Sequence, residues 1–285
     1  SVGTSVLIAG KLGTLDHRRS VRRKEVNLSP RASSEYGDPL TFPMIEQILK
    51  CDVDGKTVTS ICLDPDSHRY LNDHSISGVP YFPGVMALEM MAETVSLCSN
   101  NGKVASFEDV EFGIPVKITR GIKEIRCTAE PIQHDGAEIA FSCTIESIAP
   151  GGLDQAIAHH KAIAILRSSA GNEPIPDIIP EEEDGSRILA SADIYNRMFH
   201  GPRFQPLIGV VASIQNENGR GIEARVHGIG DIPNPELFNM GVGEEQPGLI
   251  AHPMLIESCF QAAGLTSMDT DGADSLPVGA RRIVL

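Results

Sequence analysis

Two stretches of the sequence combine residues that could move protons. The first is 74–84, in which His74 precedes Gly78 by four positions and Pro83 by nine. Glycine lets the backbone approach a ligand closely, and N–H groups near the start of a helix can hydrogen-bond a carbonyl oxygen. An imidazole beside such donors could remove a proton from the carbon next to that carbonyl. The alternative is a loop histidine bonded to the main chain, followed by a turn glycine and a helix-starting proline.

The second stretch is 252–261, which places Glu257 and Gln261 on one face of a predicted helix. Most other positions of that helix are Met, Leu, Ile, Phe or Ala, so we expect the carboxyl group to be buried. Desolvation would raise the pKa of Glu257 and keep it protonated near neutral pH, as a general acid requires. The alternative is that Glu257 lies at a sheet edge and reaches water.

A third stretch, 199–205, contains a turn at Gly201 and Pro202 between two aromatic residues, Phe199 and Phe204. These residues, with His200, could line a pocket or simply close a loop. The spacing alone does not distinguish these two interpretations.

The elements that must position these residues follow a repeated order. The apolar segment 85–98 predicts a buried helix after the first stretch, and strand-like segments 103–118, 124–132, 137–148 and 159–166 follow it. One buried helix followed by antiparallel strands predicts an α+β arrangement, with a curled sheet around the helix.

The same order returns in the second part of the chain. Residues 207–229 predict a hairpin with its turn at 216–219, and 253–265 predicts a second apolar helix starting at Pro253. Only 268–285 follow this helix, which is room for about one strand, so the second sheet is either incomplete or completed from elsewhere. We therefore expect a first unit at 41–167, a linker at 168–190 and a second unit at 191–285, preceded at 1–40 by a linker or the tail of an upstream domain.

Composition narrows the class of protein. The 285 residues carry a formal net charge of −14, which makes nucleic acid a poor partner. No apolar run approaches the length of a membrane-spanning helix, and no secretory leader is recognisable. The six cysteines are scattered without a CxxC pair, which argues against structural zinc or a disulfide framework and favours a cytoplasmic protein.

The three stretches together resemble a known family. The patterns HxxxGxxxxP at 74–83, GPxF at 201–204 and HPxLxExxxQ at 252–261 occur in that order. Over roughly 40–285 the sequence resembles the dehydratase domain of modular or iterative polyketide synthases and of the related polyunsaturated fatty acid synthases. This resemblance implies a double hotdog fold, in which two helix-in-sheet halves form a pseudo-dimer with one active site between them.

The resemblance also implies a reaction and roles for residues. The reaction is loss of water from a β-hydroxyacyl chain, which gives the α,β-unsaturated acyl thioester. His74 would be the base, Glu257 the acid, Gly78 the backbone donor to the thioester carbonyl, and Gln261 a partner of the acid or of the substrate hydroxyl. The remaining positions taken from the motifs as substrate-binding are Pro83, His200, Gly201 and Phe204. Several apolar residues could line an acyl tunnel, although each is better explained as part of the core. They are Val85, Met86, Leu88, Met90, Leu255 and Phe260.

No metal or further cofactor is implied, because the substrate would be tethered to the phosphopantetheine arm of an acyl carrier protein. The expected partners are that carrier protein and neighbouring synthase domains, and the resemblance is compatible with a homodimer. A carrier protein of acidic character would need a basic patch on this acidic chain. The candidates are Arg203, Arg281, Arg282 and the cluster at 18–24.

Two positions depart from the family pattern. The family usually has aspartate where this chain has Glu257, and tyrosine where it has His200. Stand-alone hotdog dehydratases of fatty acid synthesis do pair histidine with glutamate. An active dehydratase is the first hypothesis, and the alternative is a catalytically silent module that binds acyl chains or supports neighbouring domains. A third hypothesis keeps the fold and changes the reaction to thioester hydrolysis or product cyclisation.

Overall fold

The computed structural model is a mixed α+β structure with two main sheets. It describes residues 5–7, 42–98, 103–119, 121–132, 138–148, 156–167, 189–216, 219–226, 249–271 and 276–285. Most of the predicted linkers at 1–40 and 168–190 lies outside these residues, as does the basic cluster at 18–24. Among the described helices, none is long and apolar enough to cross a bilayer.

The elements are as follows. The helices are α1 Tyr70–Asp73, α2 Gly84–Leu97, α3 Ser191–Tyr195 and α4 Pro253–Asp271, and a 3-10 turn spans Pro202–Phe204. The strands are β1 Ser5–Leu7, β2 Gln47–Cys51, β3 Thr57–Leu63, β4 Ser75–Ile76, β5 Val79–Pro80, β6 Lys103–Phe112, β7 Lys123–Ile132, β8 Ile139–Ile148, β9 Ala156–Arg167, β10 Leu189–Ala190, β11 Leu207–Asn216, β12 Gly219–Val226 and β13 Gly279–Val284.

The first half is an antiparallel sheet that curls around α2. The strand order is β13-β6-β9-β8-β7-β3-β2, and successive strands pair antiparallel. Along β7 and β8 buried and more exposed residues alternate, so one face of the sheet packs on the helix. Helix α2 is buried on nearly all sides, as its apolar sequence predicts.

The second half contains a smaller sheet. Its strands follow the order β1-β12-β11-β10, and β11 and β12 form the predicted hairpin. Helix α4 contacts both β11 and β12. The strand predicted near the end of the sequence is present as β13, but it pairs with β6 of the first half. The large sheet thus includes strands from both parts of the chain.

Two carboxyl groups lie inside the first half. Glu89 and Glu93 are one turn apart on α2, and both are completely buried. Burial raises the pKa of Glu89 to about 7, against hydrogen bonds from the N–H groups of Ile250 and Ala251. Burial, and then repulsion by Glu89, raises the pKa of Glu93 well above its usual value. The two acids therefore hold a proton in the folded protein that a solvated carboxyl would release.

This shared proton predicts a stability that falls with pH. The folded state keeps a proton at Glu93 where the unfolded chain, with an ordinary carboxyl pKa, has lost it, so the free energy of unfolding decreases as pH rises above that ordinary value. Glu93→Gln removes this titration while keeping the shape of the neutral acid. Urea unfolding should therefore find the variant gaining stability relative to wild type between about pH 5 and pH 8.

The matched control is Glu111→Gln, which removes an exposed carboxyl from β6 in the sheet around α2. A stability difference between wild type and Glu93→Gln that stays constant over this pH range would contradict the prediction.

Candidate active site

His74 lies directly after α1, where the loops of the two halves meet. Its Nδ1 lies 2.9 Å from the carbonyl oxygen of Tyr81. Since a carbonyl can only accept, Nδ1 donates, and the neutral ring keeps its lone pair on Nε2. Burial lowers the pKa of His74 below its usual value, and the charge of His200 acts in the same direction, while Glu257 opposes them. His74 is therefore neutral at pH 7, as a base must be.

Gly78 lies at the tip of a short hairpin formed by β4 and β5. Ser77 and Gly78 both have positive φ, 53° and 76°, which a two-residue hairpin turn favours. Gly78 is exposed, and a Cβ at this position would meet no atom within 4 Å. The turn conformation thus accounts for the glycine, and its predicted role as a donor to a thioester stays a prediction.

Pro83 precedes α2 and its carbonyl accepts the N–H groups of Met86 and Ala87, so it begins the helix as the alternative interpretation had it. Its predicted role in substrate binding stays a prediction. The apolar residues considered for an acyl tunnel divide into two groups. Leu255 and Phe260 on α4 are partly exposed, and Phe260 contacts the ring of Phe112 at 5.5 Å. The other four residues belong to the buried core, which agrees with the alternative interpretation that they are core rather than tunnel wall. They are Val85, Met86, Leu88 and Met90.

The segment 199–205 joins the two halves. His200 forms an isolated antiparallel bridge with His74, and the Gly201 N–H donates to the Asp73 carbonyl at 2.7 Å. A side chain at Gly201 would overlap the side chain of Asp73, so only glycine permits this approach. Arg203 then pairs with the Asp73 carboxylate at 2.7 Å. Arg203, a candidate for the basic patch, is therefore engaged in this contact.

Four rings meet at this junction. His74 lies 5.2 Å from Phe199, 5.6 Å from His200 and 5.3 Å from Phe204, between ring centroids. Phe199 stacks on His200 at 4.1 Å. The ring of Phe204 is completely buried. These contacts place 199–205 against His74, and whether the segment lines a pocket stays a prediction.

Helix α4 presents Glu257 and Gln261 to the same junction. Both are buried, with exposed fractions of 7% and 3%. The Gln261 amide donates to Glu257 Oε1 at 3.0 Å and to the Phe204 carbonyl at 2.8 Å. Glu257 is thus buried as expected from its apolar helix, and the alternative of a sheet edge that reaches water is wrong.

Tyr195 fixes the orientation of that amide. Its hydroxyl donates to Gln261 Oε1 at 2.9 Å and accepts the N–H of Leu207 at 2.8 Å. Neither Tyr195 nor Asp73 was predicted from the sequence. The position of Asp73 next to His74 could have indicated that it lies near the site. Nothing local in the sequence connects Tyr195 with Gln261, which follows it by 66 positions.

The expected ionisation of Glu257 is wrong. Burial would raise the pKa of Glu257, as predicted, but the hydrogen bond and charge of His200, with contributions from His74 and Gln261, bring it below its usual value. The cause is a contact of 3.1 Å between His200 Nε2 and Glu257 Oε1, with both side chains 10% exposed. Glu257 is therefore a carboxylate beside an imidazole, rather than a lone protonated acid.

Two atoms of this pair are left for other partners. Glu257 Oε1 accepts from both His200 and Gln261, whereas Oε2 takes part in no hydrogen bond within the described part of the chain. His200 Nδ1 is buried and has no partner among those residues. Both atoms could therefore bind an oxygen of a bound molecule. Within the described ranges, no three His, Cys, Asp or Glu residues are arranged to hold a metal ion.

Comparisons with known proteins agree with the motifs. Residues 43–144 match the family model described as the polyketide synthase dehydratase domain. Over 228 residues the chain is 26% identical to polyketide synthase PksN of Bacillus subtilis (strain 168), covering 75% of this chain and 4% of that protein. The chain thus spans a small fraction of the curated relative that it matches.

Solved structures agree in fold. The dehydratase domain from the CurK module of curacin polyketide synthase has a TM-score of 0.62 at 17% identity, covering 85% of this chain and 82% of its own. A trans-AT polyketide synthase dehydratase domain from Brevibacillus brevis has a TM-score of 0.59 at 17% identity, covering 85% and 80%. The predicted resemblance to the dehydratase domains of polyketide synthases is confirmed, and the chain has their double hotdog fold.

Proposed function

We propose that the protein removes water from a β-hydroxyacyl thioester, giving the α,β-unsaturated thioester, as a domain of a polyketide synthase. The observation that carries this proposal is the meeting of a neutral imidazole, His74, with the Glu257–His200 pair at one junction. β-Elimination requires a base and, close to it, a group that holds a proton for the leaving hydroxyl. We call the Glu257–His200 pair, which is proposed to hold that proton, the proton store. The substrate is proposed to arrive on the phosphopantetheine arm of an acyl carrier protein, which would be the main partner.

Each chemical step has a group available. Nε2 of His74 accepts the α-proton while a backbone N–H stabilises the thioester oxygen, and we assign this donor to Gly78 by the family pattern. The β-carbon–oxygen bond then breaks, and the departing hydroxyl takes a proton from the Glu257–His200 pair and leaves as water. Proton return from His74 to the pair completes the cycle without any other reactant.

The Glu257–His200 pair is proposed to hold one transferable proton. When the proton is on His200 the pair is an imidazolium and a carboxylate, and when it moves to Glu257 both groups are neutral. Movement along the 3.1 Å contact would place the proton on Glu257 Oε1, the atom that then delivers it to the departing hydroxyl, although the pKa of Glu257 lies below its usual value. Gln261 and Tyr195 hold the carboxyl group in place while this happens.

The first test is His74→Ala. Loss of the base should lower kcat by about 100-fold or more, since general-base catalysis contributes at least that factor. The assay follows water loss from a β-hydroxyacyl pantetheine thioester by mass spectrometry. His68→Ala is the control, because its imidazole contacts Asp64 and Tyr70 and lies outside the site.

Equal turnover in wild type and His74→Ala would exclude His74 as the base. If wild type binds the thioester without converting it, the silent acyl-binding module is favoured instead. Hydrolysis of the thioester, or cyclisation of the product, would indicate the third hypothesis.

The second test is the pH profile of kcat/KM. His74 must be neutral, so activity should rise with pH through a pKa below the usual value of histidine, about 6.5, because burial disfavours the charged ring. An acidic limb centred above pH 6.5 would contradict the neutral state assigned to His74.

The third test separates the two members of the proton store. His200→Phe keeps an aromatic ring but removes the hydrogen bond and charge that lower the pKa of Glu257. We expect the pKa of Glu257 to rise and kcat to fall by about 100-fold, the lower range for loss of a general acid. His200→Tyr, the residue usual in the family, is the matched variant and should retain more activity because its hydroxyl can donate to Glu257. Unchanged kcat in His200→Phe would mean that Glu257 alone supplies the proton.

A further inference from the structure

The buried carboxyl group of Glu89 binds the second half of the chain. Its Oε1 accepts the N–H of Ile250 at 2.6 Å, and its Oε2 accepts the N–H of Ala251 at 2.7 Å. These partners are more than 160 positions away in the sequence. Glu89 and Ala251 are both completely buried, so the contact lies in the interior between α2 and the chain entering α4.

The segment held in this way leads directly into the helix that carries the proton store. His252, the next residue, has a φ of 49°, a left-handed conformation that a residue with a side chain rarely adopts. Its carbonyl accepts the N–H groups of Leu255 and Ile256, and Pro253 begins α4. Such a conformation persists only where its surroundings hold the backbone on both sides. Glu89 supplies that restraint on the side before His252.

Glu89 and Glu93 have different partners. Both oxygens of Glu89 accept backbone N–H groups, which leaves little room for a proton on either oxygen. This arrangement favours the ionised form of Glu89. Glu93 accepts one N–H, from Met44, at 2.8 Å, and its Oε1 is buried without a partner in the described part of the chain. The proton shared by the two acids therefore belongs on Glu93, and the charge on Glu89.

The groups around this pair do not compete for that proton. Tyr70 and Cys127 are the titratable side chains that face Glu93 from other elements, and burial raises the pKa of each, so both are neutral. Neither Glu89 nor Glu93 forms a salt bridge with a cationic side chain among the described residues. The charge of Glu89 is thus stabilised by the backbone N–H groups of Ile250 and Ala251, with a smaller contribution from Glu93.

We propose that Glu89 is a positioning residue for the dehydration: it holds the start of α4, and through α4 it sets the place of Glu257 and Gln261 opposite His74. A carboxylate is suited to this task because its two oxygens can hold two successive N–H groups at once, whereas any apolar side chain would leave both N–H groups buried without acceptors. This inference rests in part on the proposed function, so its test includes a measurement that does not depend on turnover.

The first measurement is amide hydrogen exchange of 250–256 in the whole chain. Glu89→Gln offers one acceptor oxygen and places an NH2 group against the other backbone N–H, so one hydrogen bond is lost. Exchange at Ile250, Ala251 and the first turn of α4 should accelerate by about 10-fold or more, the change that follows from losing one buried hydrogen bond. Glu93→Gln is the matched control, since it mimics a neutral acid and should leave this exchange unchanged.

The second measurement is the pH profile of kcat/KM for the same variants. Displacement of Glu257 by about 1 Å should lower kcat by up to about 100-fold in Glu89→Gln. The acidic limb, which reports His74, should stay in place. A variant that merely contains less folded protein would lose kcat only in proportion to its folded fraction, which circular dichroism measures.

The outcomes separate this inference from the proposed function. Faster exchange with a kcat that falls by more than the folded fraction, and with the acidic limb unmoved, supports the positioning role. Unchanged exchange in Glu89→Gln overturns it, whether or not the wild type turns over. Faster exchange with kcat per folded molecule unchanged also overturns it, because α4 would then tolerate the loss. If the wild type has no activity, the proposed function fails, and the exchange data alone decide whether Glu89 holds α4.

Discussion

A carboxyl group can be buried only where hydrogen-bond donors surround it, and this constraint governs how the two halves of the molecule are joined. Glu89 on α2 and Glu257 on α4 each lie in the interior, and each has a polar partner four positions later, Glu93 or Gln261. Neither acid finds enough donors on its own helix. Glu89 takes two N–H groups from the chain before α4, and Glu257 takes His200 from the loop that contacts His74. Satisfying the acids therefore brings the two helices and the loops between them into one arrangement.

The residue four positions after each acid determines which hydrogen bonds that acid can form. The Gln261 amide can donate to Glu257 at any pH, and Tyr195 fixes that amide, so one carboxylate oxygen is held and the other stays available. Glu93, in contrast, can donate only while it is protonated. The Glu89–Glu93 pair must therefore retain a proton to remain buried. Both oxygens of Glu89 are also occupied. Similar spacing on two helices thus leaves one carboxylate oxygen available on α4, whereas both oxygens of the acid on α2 are bonded.

Sequence patterns predicted the elements because those depend on short-range periodicity. The apolar run of α2, the hairpin of β11 and β12, and the start of α4 at Pro253 all follow from local residue types. The motifs also identified His74 and the 199–205 segment as neighbours of Glu257. Local patterns could not predict the placement of β13 on the first sheet, since that pairing joins residues about 170 positions apart. The partners of Glu89 were unpredictable for the same reason.

The ionisation of Glu257 was mispredicted because the apolar character of α4 says nothing about what approaches from another segment. His200 comes from the loop before β11, and its imidazole, together with His74 and Gln261, outweighs the effect of burial on the pKa of Glu257.

The two departures from the family pattern concern one contact. Aspartate and tyrosine are usual where this chain has Glu257 and His200, and taken separately each would weaken the site. In the structure the two side chains touch, with His200 Nε2 and Glu257 Oε1 at 3.1 Å. A glutamate carries its carboxyl group about one carbon–carbon bond further from α4 than an aspartate, and an imidazole, unlike a phenol near neutral pH, can hold a positive charge. The longer acid reaches the ring. In the proposed mechanism the ring supplies the proton that an ionised acid lacks, so the two departures would together exchange one proton donor for another, and each would depend on its partner.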